Sequence, residues 1–231
     1  MLSTINLNFS YSNVKAITDV SMTFKPKQIT CIMGRNGVGK TTLIRNVIGL
    51  LQTDSGQIVL DGRMITHLPA SKRAKLGLGY VPQGRMIFPK LTVEENLKIG
   101  LEARTDGRKN IPDEVFDLFP LLKNFLVRKG GDLSGGQQQQ LAVARAMVGD
   151  PKILILDEPT EGIQPNIIQR IGEVLTQLVT DRGMTVVLVE QYVDFVREFG
   201  HCFYIMNRGQ VVTEGSTTDL TADLVHQHLS V

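Results

Sequence analysis

The stretch from Gly34 to Thr42, reading GRNGVGKTT, limits what this chain can fold into more than any other. Gly34, Gly39, Lys40 and Thr41 satisfy the pattern G-x-x-x-x-G-K-S/T. The β-branched run Ile29 to Met33 predicts a buried strand before it, and Leu43, Ile44, Val47 and Ile48 predict a helical stripe after it. Between strand and helix, Gly34, Gly37 and Gly39 let successive backbone N–H groups turn toward one point, to which the helix adds its positive end. Such a point attracts a polyphosphate. Lys40 is placed to reach the β- and γ-phosphates and the Thr41 hydroxyl to hold Mg²⁺, while Arg35, Asn36, Val38 and Thr42 complete the contacts. The pattern arises by chance in a chain of this length about 1% of the time, so a plain glycine-rich turn is the weaker reading.

Size and composition leave room for that site and little else unusual. The 231 residues fit one large domain, or a core with a subdomain, and 42% hydrophobic with 21% charged residues is ordinary for a soluble globular chain. A net charge of +2 is too small to argue for an obligatory nucleic acid or anionic surface. Cys31 and Cys202 fall in apolar runs and read as buried free thiols in a reducing compartment, neither a disulfide nor metal ligands. MLSTINLNFS lacks a basic region followed by an apolar stretch, and no apolar run approaches ~18 residues. The expectation is a chain that neither crosses a membrane nor carries an export signal.

Along the chain, Ile5, Leu7 and Phe9 alternate onto one side of a strand ending near Tyr11. Val20, Met22 and Phe24 alternate again before Pro26, predicting antiparallel strands joined at Ser12-Asn13. After the loop helix come a turn at Asp54-Ser55-Gly56, a strand over Ile58 to Leu60 and a hairpin at Asp61-Gly62. A short basic helix from Pro69 to Lys75 and a strand over Leu78 to Val81 follow. From Thr92 the texture turns helical: Thr92 to Glu95 fits a capping box, and Pro112 starts a helix carrying Val115, Phe116, Leu118 and Phe119. Leu133 to Gln137, LSGGQ, opens a further helix that stops at Gly149-Asp150-Pro151. A helical insert over about 88–150 thus divides a core of 1–87 and 151–231 within one domain. Ile153 to Leu156 predicts a strand buried on both faces, Pro165 to Gly183 a helix and Met184 to Val189 another buried strand. A short helix from Val193 to Phe199, a hairpin at Arg208-Gly209 and an amphipathic helix from about Thr218 close the chain.

The strand ending in Asp157 and Glu158 supplies what a phosphate loop lacks. One carboxylate can hold the Mg²⁺ shell, the role of Asp157, and the next can orient or deprotonate a water in line with the terminal phosphate, the role of Glu158. A pair that merely caps the Thr160 loop is the plainer alternative, weakened by the loop upstream. The absence of an N-K-x-D motif disfavours a GTPase, and nothing marks the second substrate a kinase needs.

These motifs, in this order over the whole chain, resemble those of the nucleotide-binding subunits of ABC transporters. LSGGQ at 133–137 matches that family's signature, and Gln83 stands in the place of its Q-loop. The resemblance implies an α/β fold: a P-loop NTPase with a RecA-like core and an antiparallel β subdomain, plus an inserted α-helical signature subdomain. It implies ATP and Mg²⁺, with residues 34–42 and Gln83 at the phosphates and Thr41, Gln83 and Asp157 at the metal. Lys40, Glu158 and Gln191 take the catalytic roles. Tyr11 matches the aromatic that stacks on adenine, although a surface turn aromatic reads the same way. It implies also a head-to-tail dimer, in which Ser134, Gly135, Gly136 and Gln137 of one subunit cover ATP held by the other. A glycine-rich helix start with no lysine or carboxylate of its own suits that half-role.

Within the family, stretches such as YVPQGRMIFPKLTVEENL and LVEQYVDF are most similar to importer subunits of the branched-chain amino acid and amide group, the urea-transporter ATPase above all. This implies a peripheral Mg-ATPase on the cytoplasmic face of the inner membrane. It would energise urea uptake through separate permease subunits and, indirectly, a solute-binding protein, without nucleic acid. A branched-chain amino acid or another amide is the alternative solute; a nucleotide-dependent clamp on nucleic acid or the ribosome is the alternative class. Gly84 to Leu91 is expected to receive a helix of the membrane subunit, with Met86, Ile87 and Phe88 exposed. Two departures stand out: Glu161 and Gln164 replace the family's Ser and Asp, and Gln191 replaces its switch histidine. His67, His201, His226 and His228 lie elsewhere and read as structural or exposed. Glutamine donates a hydrogen bond but carries no charge, so this chain's own ATP site should be slow and its partner a different cassette that keeps the histidine.

Overall fold

The computed structural model describes residues 1–229 and places the first strands and the phosphate-loop strand in two different sheets. Strands β1 (Leu2–Tyr11) and β2 (Val14–Phe24) form the antiparallel hairpin expected. Their alternation does not run through: a bulge between Thr4 and Leu7, with Asn6 at φ 47°, turns the strand over. Ile5, expected beside Leu7 and Phe9, is therefore 44% exposed while those two are buried. Polar side chains fasten the irregularity, Asn6 N–H donating to Ser21 Oγ (2.9 Å) and Asn8 Nδ2 to Asp19 Oδ1 (3.0 Å). After β3 (Ile29–Met33) and α1 (Lys40–Val47) the chain returns to β1 as β4 (Ser55–Leu60), followed by β5 (Arg63–Met64). Ser55 and Gly56, expected in a turn, instead begin β4, because that strand pairs across the bulge. Gly56 has φ +89°, and a Cβ there would lie 2.3 Å from the Asn6 carbonyl oxygen, so only glycine fits.

The short helix α2 (Ala70–Lys75) is basic as expected, but Arg73 points inward and is 2% exposed. Its guanidinium donates to the carbonyls of Asn46 (2.7 Å), Val47 (2.6 Å), Thr66 (2.7 Å) and Leu68 (2.8 Å), capping the negative end of α1 with a cation. Strand β6 (Leu78–Val81) then leads into the helical stretch: α3 (Val93–Ile99), α4 (Asp113–Leu118), α5 (Pro120–Lys123) and α6 (Gly135–Val148). The remaining elements are β7 (Ile153–Asp157), α7 (Pro165–Arg182), β8 (Thr185–Val189), α8 (Val193–Phe199), β9 (Cys202–Asn207), β10 (Gln210–Ser216) and α9 (Ala222–His228). The last helix starts later than Thr218 because Ser216 caps a separate 3₁₀ turn over Thr217–Asp219, and Thr221 caps α9.

The main sheet runs β10-β9-β3-β8-β7-β6, parallel except for β10. Every residue of β3, β7 and β8 is buried, as the continuous apolar runs require of strands covered on both faces. Ile32, Ile155, Val187 and Val189 face α1 and the antiparallel sheet; Cys31, Met33, Leu154, Leu156 and Leu188 face α3, α6, α7 and α8. The helical stretch shares this second cluster. Both cysteines are free; Cys31 is fully buried, whereas Cys202, at the start of β9, is only partly so. His201 Nδ1 accepts the N–H of Ile29 at 3.2 Å, a structural role as expected.

Candidate active site

The carboxyl ends of β3, β7 and β8 and of β6 open on one edge of the main sheet, where an α/β fold binds ligands. The phosphate loop follows β3 and ends at Gly39, the N-cap of α1, with φ +106°. A Cβ at Gly39 would lie 2.6 Å from the Ala16 carbonyl oxygen, so the loop closes against the β1–β2 hairpin. Lys40 is 4% exposed and donates back to the carbonyls of Gly34 (2.8 Å) and Arg35 (3.0 Å). Burial pulls the Lys40 ammonium below the usual lysine range, opposed by Glu158, whose Oε1 is 3.5 Å away. The loop borders a cavity of about 370 Å³, lined also by Tyr11, Lys15, Gln83 and Glu158, within the usual size of a small-ligand site.

Asp157 ends β7 and is 1% exposed; its Oδ1 accepts from Thr41 Oγ1 (3.1 Å) and its Oδ2 from Tyr80 (3.4 Å). Burial pushes the carboxyl up from the usual aspartate range, opposed by the Thr41 bond. Glu158 leaves the sheet at φ 48°, held there by its N–H to the Val189 carbonyl (2.9 Å). A non-glycine residue in that region costs about 1–2 kcal/mol, and the reward is a side chain turned to the phosphate loop. Glu158 Oε2 accepts from Gln83 Nε2 (2.9 Å), and Oε1 from Gln191 Nε2 (2.7 Å). Gln191 Nε2 also donates to Asn36 Oδ1 (2.7 Å), joining the segment after β8 to the loop. Gln83 Nε2 reaches Glu161 Oε2 as well (3.0 Å). The hydroxyl of Thr41 and the carboxylate of Asp157 are hard oxygen donors side by side, a set that fits Mg²⁺.

Not every expected residue converges here. Tyr11 is 46% exposed at the rim, its ring perpendicular to that of Phe9 and its hydroxyl 3.5 Å from Thr42 Oγ1. Val38 turns its side chain into the core while its carbonyl accepts Gly209 N–H at 2.9 Å. Ser134, Gly135, Gly136 and Gln137 begin α6 away from the cavity, with Ser134 and Gln137 closing a capping box. Beside Gln83, Met86 and Phe88 are exposed as expected, but Ile87 packs on the core. Arg145 of α6 holds this segment, donating to the Met86 carbonyl (2.9 Å) with its guanidinium 5.3 Å from the Phe88 ring centre. Two residues passed over in the sequence belong to the site's surroundings: Lys15, in the hairpin next to Tyr11, and Glu190, whose signal was a carboxylate at the carboxyl end of a buried strand.

A parallel sheet with a phosphate loop before its first helix, an antiparallel sheet on one face and a helical stretch on the other, defines an ATPase cassette of the P-loop class. The ABC transporter family profile matches residues 17–161, and this chain belongs to the ATP-binding subunits of ABC transporters. It is 40% identical to the probable branched-chain amino acid transport ATP-binding protein LivF of Archaeoglobus fulgidus, over 95% of this chain and 94% of that one. It is 39% identical to the high-affinity branched-chain amino acid transport ATP-binding protein BraG of Pseudomonas aeruginosa, over 92% and 91%. Its identity to the lipopolysaccharide export system ATP-binding protein LptB of Haemophilus influenzae is 36%, over 96% and 93%. Among solved structures, a dimeric bacterial ABC transporter cassette superposes with TM-score 0.86 at 27% identity, covering 94% of this chain and 99% of that one. Such ATPases dimerise and couple ATP hydrolysis to transport through membrane permease subunits. Among the described residues no helix is long and apolar enough to cross a membrane.

Proposed function

We propose that this chain is the ATP-hydrolysing subunit of an importer for small amide or amino-acid solutes, lying on the cytoplasmic face of the membrane beside its permeases and paired with a different cassette. The observation that carries this reading is the convergence of Lys40, Thr41, Asp157, Glu158, Gln83 and Gln191 on the phosphate loop, with Ser134 to Gln137 left facing elsewhere. A terminal phosphate entering between Lys40 and Glu158 would take over the ammonium now bonded to Gly34 and Arg35. Glu158 would then accept a proton from, or orient, the attacking water. Thr41, Asp157 and the amide oxygen of Gln83 would hold Mg²⁺, which when bound neutralises charge on the phosphates. Tyr11, exposed at the rim, would stack on adenine. Ser134 to Gln137 would act on the nucleotide of the partner, which is why this half-site is built as a capped, glycine-rich helix start.

Gln191 keeps hold of Glu158 without a charge to give, which supports a slow site here and a faster one in the partner. The exposed side chains of Met86 (60%) and Phe88 (46%) would receive a permease helix. For the solute, the likeness of the Gln83 and Gln191 stretches favours urea, and the names of the 40% and 39% identical relatives favour branched-chain amino acids as a second reading. Uptake of labelled urea and of labelled leucine by cells lacking this chain, with the wild-type or Lys40→Ala protein added back, decides between them. Urea uptake that is lost and restored only by the wild type supports the first; loss confined to leucine transfers the assignment to the second. Unchanged uptake of both overturns both.

A further inference from the structure

The parallel register of β7 and β8 sets Asp157 opposite Val189, so the next residues, Glu158 and Glu190, leave the sheet side by side. Glu158 turns to the phosphate loop. Glu190 does not line the cavity and is 3% exposed. Its carboxylate nevertheless has a full set of donors. Oε2 accepts from Thr160 Oγ1 at 2.7 Å, and Oε1 from the backbone N–H groups of Gln191 (2.7 Å) and Tyr192 (3.0 Å). One carboxylate therefore bridges the loop after β7, which carries Glu158, and the segment after β8, which carries Gln191. Hydrogen bonds to a carboxylate are roughly twice as strong as neutral ones, and breaking them in the interior strands a charge, so the bridge resists distortion. Gln191 needs such support, because its Nε2 reaches Glu158 Oε1 and Asn36 Oδ1 at once, each at 2.7 Å, and a swing of its backbone would break one of them.

We propose that Glu190 is a positioning residue for hydrolysis: without touching nucleotide, it clamps the Gln191–Tyr192 backbone to Thr160 and thereby aims the Gln191 amide at Glu158 and the phosphate loop. The inference rests on the hydrolytic reading of the site given above. Gln191 makes the chemistry-facing contacts and Glu190 acts through it. A glutamine at 190 can rebuild the bridge, its Oε1 accepting both N–H groups and its amide donating to Thr160 Oγ1; an alanine cannot.

The test measures, for a panel of variants, ATP affinity of the full-length chain and ATP turnover of an assembled transporter in which the partner's counterpart of Glu158 is replaced by glutamine, so that hydrolysis is read at this chain's own site. Glu190→Ala should lower kcat by about tenfold to hundredfold, the worth of charge-assisted hydrogen bonds, with ATP affinity changed by less than about threefold. Glu190→Gln should restore most of the rate. In a Gln191→Ala background, Glu190→Ala should add less than about threefold, since both changes remove one device. Losses that multiply, or a Gln variant as slow as the Ala variant, overturn the proposal. Should Glu190→Ala fail to fold, Thr160→Val takes its place, with a fall in kcat of about threefold to tenfold that disappears in the Gln191→Ala background. Glu158→Gln separates the two readings. Hydrolysis that survives in that variant overturns the assignment of the site itself, whereas hydrolysis abolished there but normal in Glu190→Ala overturns only the positioning role.

Discussion

Glu158 meets two amide donors and an ammonium: Gln83, Gln191 and, at 3.5 Å, Lys40. The side chains with most to do at a phosphate are thus already engaged with one another, and nucleotide must exchange partners with them. Lys40 and Glu158 should separate cleanly in experiment. Lys40→Ala is expected to weaken ATP binding by at least about tenfold, through loss of a charge-assisted contact. Glu158→Gln should leave affinity near wild type while slowing hydrolysis by about 10²–10⁴. Calorimetric titration with single-turnover assays checks both, and parallel loss of affinity in the two variants contradicts the roles. A second prediction concerns pH. Burial raises the Glu190 carboxyl above the usual glutamate range, opposed by its bonds to Tyr192, Thr160 and Gln191. A carboxyl raised on folding favours the folded state most below its unfolded value near 4.3, and that advantage is lost as pH rises through the folded value. Glu190→Gln has no such loss. The thermal midpoint of the variant relative to wild type should therefore increase from acid to neutral pH, and a constant or shrinking difference would contradict the assignment.

Among the elements, those entering the site are fastened at their ends. Arg73 closes the carboxyl end of α1 through the carbonyls of Asn46 and Val47 and ties it to those of Thr66 and Leu68, so the helix that presents Lys40 and Thr41 is anchored at its opposite end. The segment after Gln83 is the converse case. Gly84, Arg85 and Met86 take positive φ in succession (73°, 69° and 43°), and Arg145 and Arg85 tie that turn to α6 and to the Gly162 carbonyl. A turn so conformed persists only because its neighbours hold it. At the start of α3, Thr92 Oγ1 accepts the Glu95 N–H (3.1 Å) and Glu95 Oε2 accepts the Thr92 N–H (2.7 Å), and that short helix packs on α6 through Val93 and Leu97. Thr92→Ala should cost about 1 kcal/mol, the typical worth of a cap, and lower the thermal midpoint by about 2–4 °C for a chain of this size. Scanning calorimetry checks this. An unchanged midpoint would mean that packing alone holds α3.

For the whole molecule, Ser134–Gln137 lie away from the cavity at the phosphate loop, and the role proposed for them on a partner's nucleotide would tie activity to assembly. Dimerisation belongs to the class, and the proposal specific to this chain is an unequal pair. In a reconstituted transporter, removing the phosphate-loop lysine of the partner should cost more ATPase activity than Lys40→Ala here. The ratio should be on the order of tenfold, the usual contribution of a positioned catalytic group at its lower end. A greater loss from Lys40→Ala, or full activity from this chain paired with itself, contradicts the unequal pair.

Local order was readable in advance wherever a residue's role depends on its immediate neighbours. The glycines and Lys40 of the phosphate loop, the capping boxes at Thr92 and Ser134, the hairpin at Asp61-Gly62 and the buried runs of β3, β7 and β8 all follow from patterns a few residues long. The bulge that exposes Ile5, the strand position of Gly56, the burial of Ile87 and the inward turn of Arg73 depended on which strand or helix lies opposite, and periodicity carries no information about that. The same division runs through the site. Asp157 and Glu158 were legible as a carboxylate pair at a strand end, but that Glu158 meets Gln83 came from the parallel register of β6 and β7, and that it meets Gln191 and Glu190 bridges to Thr160 came from that of β7 and β8. Spacing along the chain determined the kinds of groups available; tertiary pairing decided which of them touch, because a hydrogen bond needs about 3 Å and sequence separation does not set that distance.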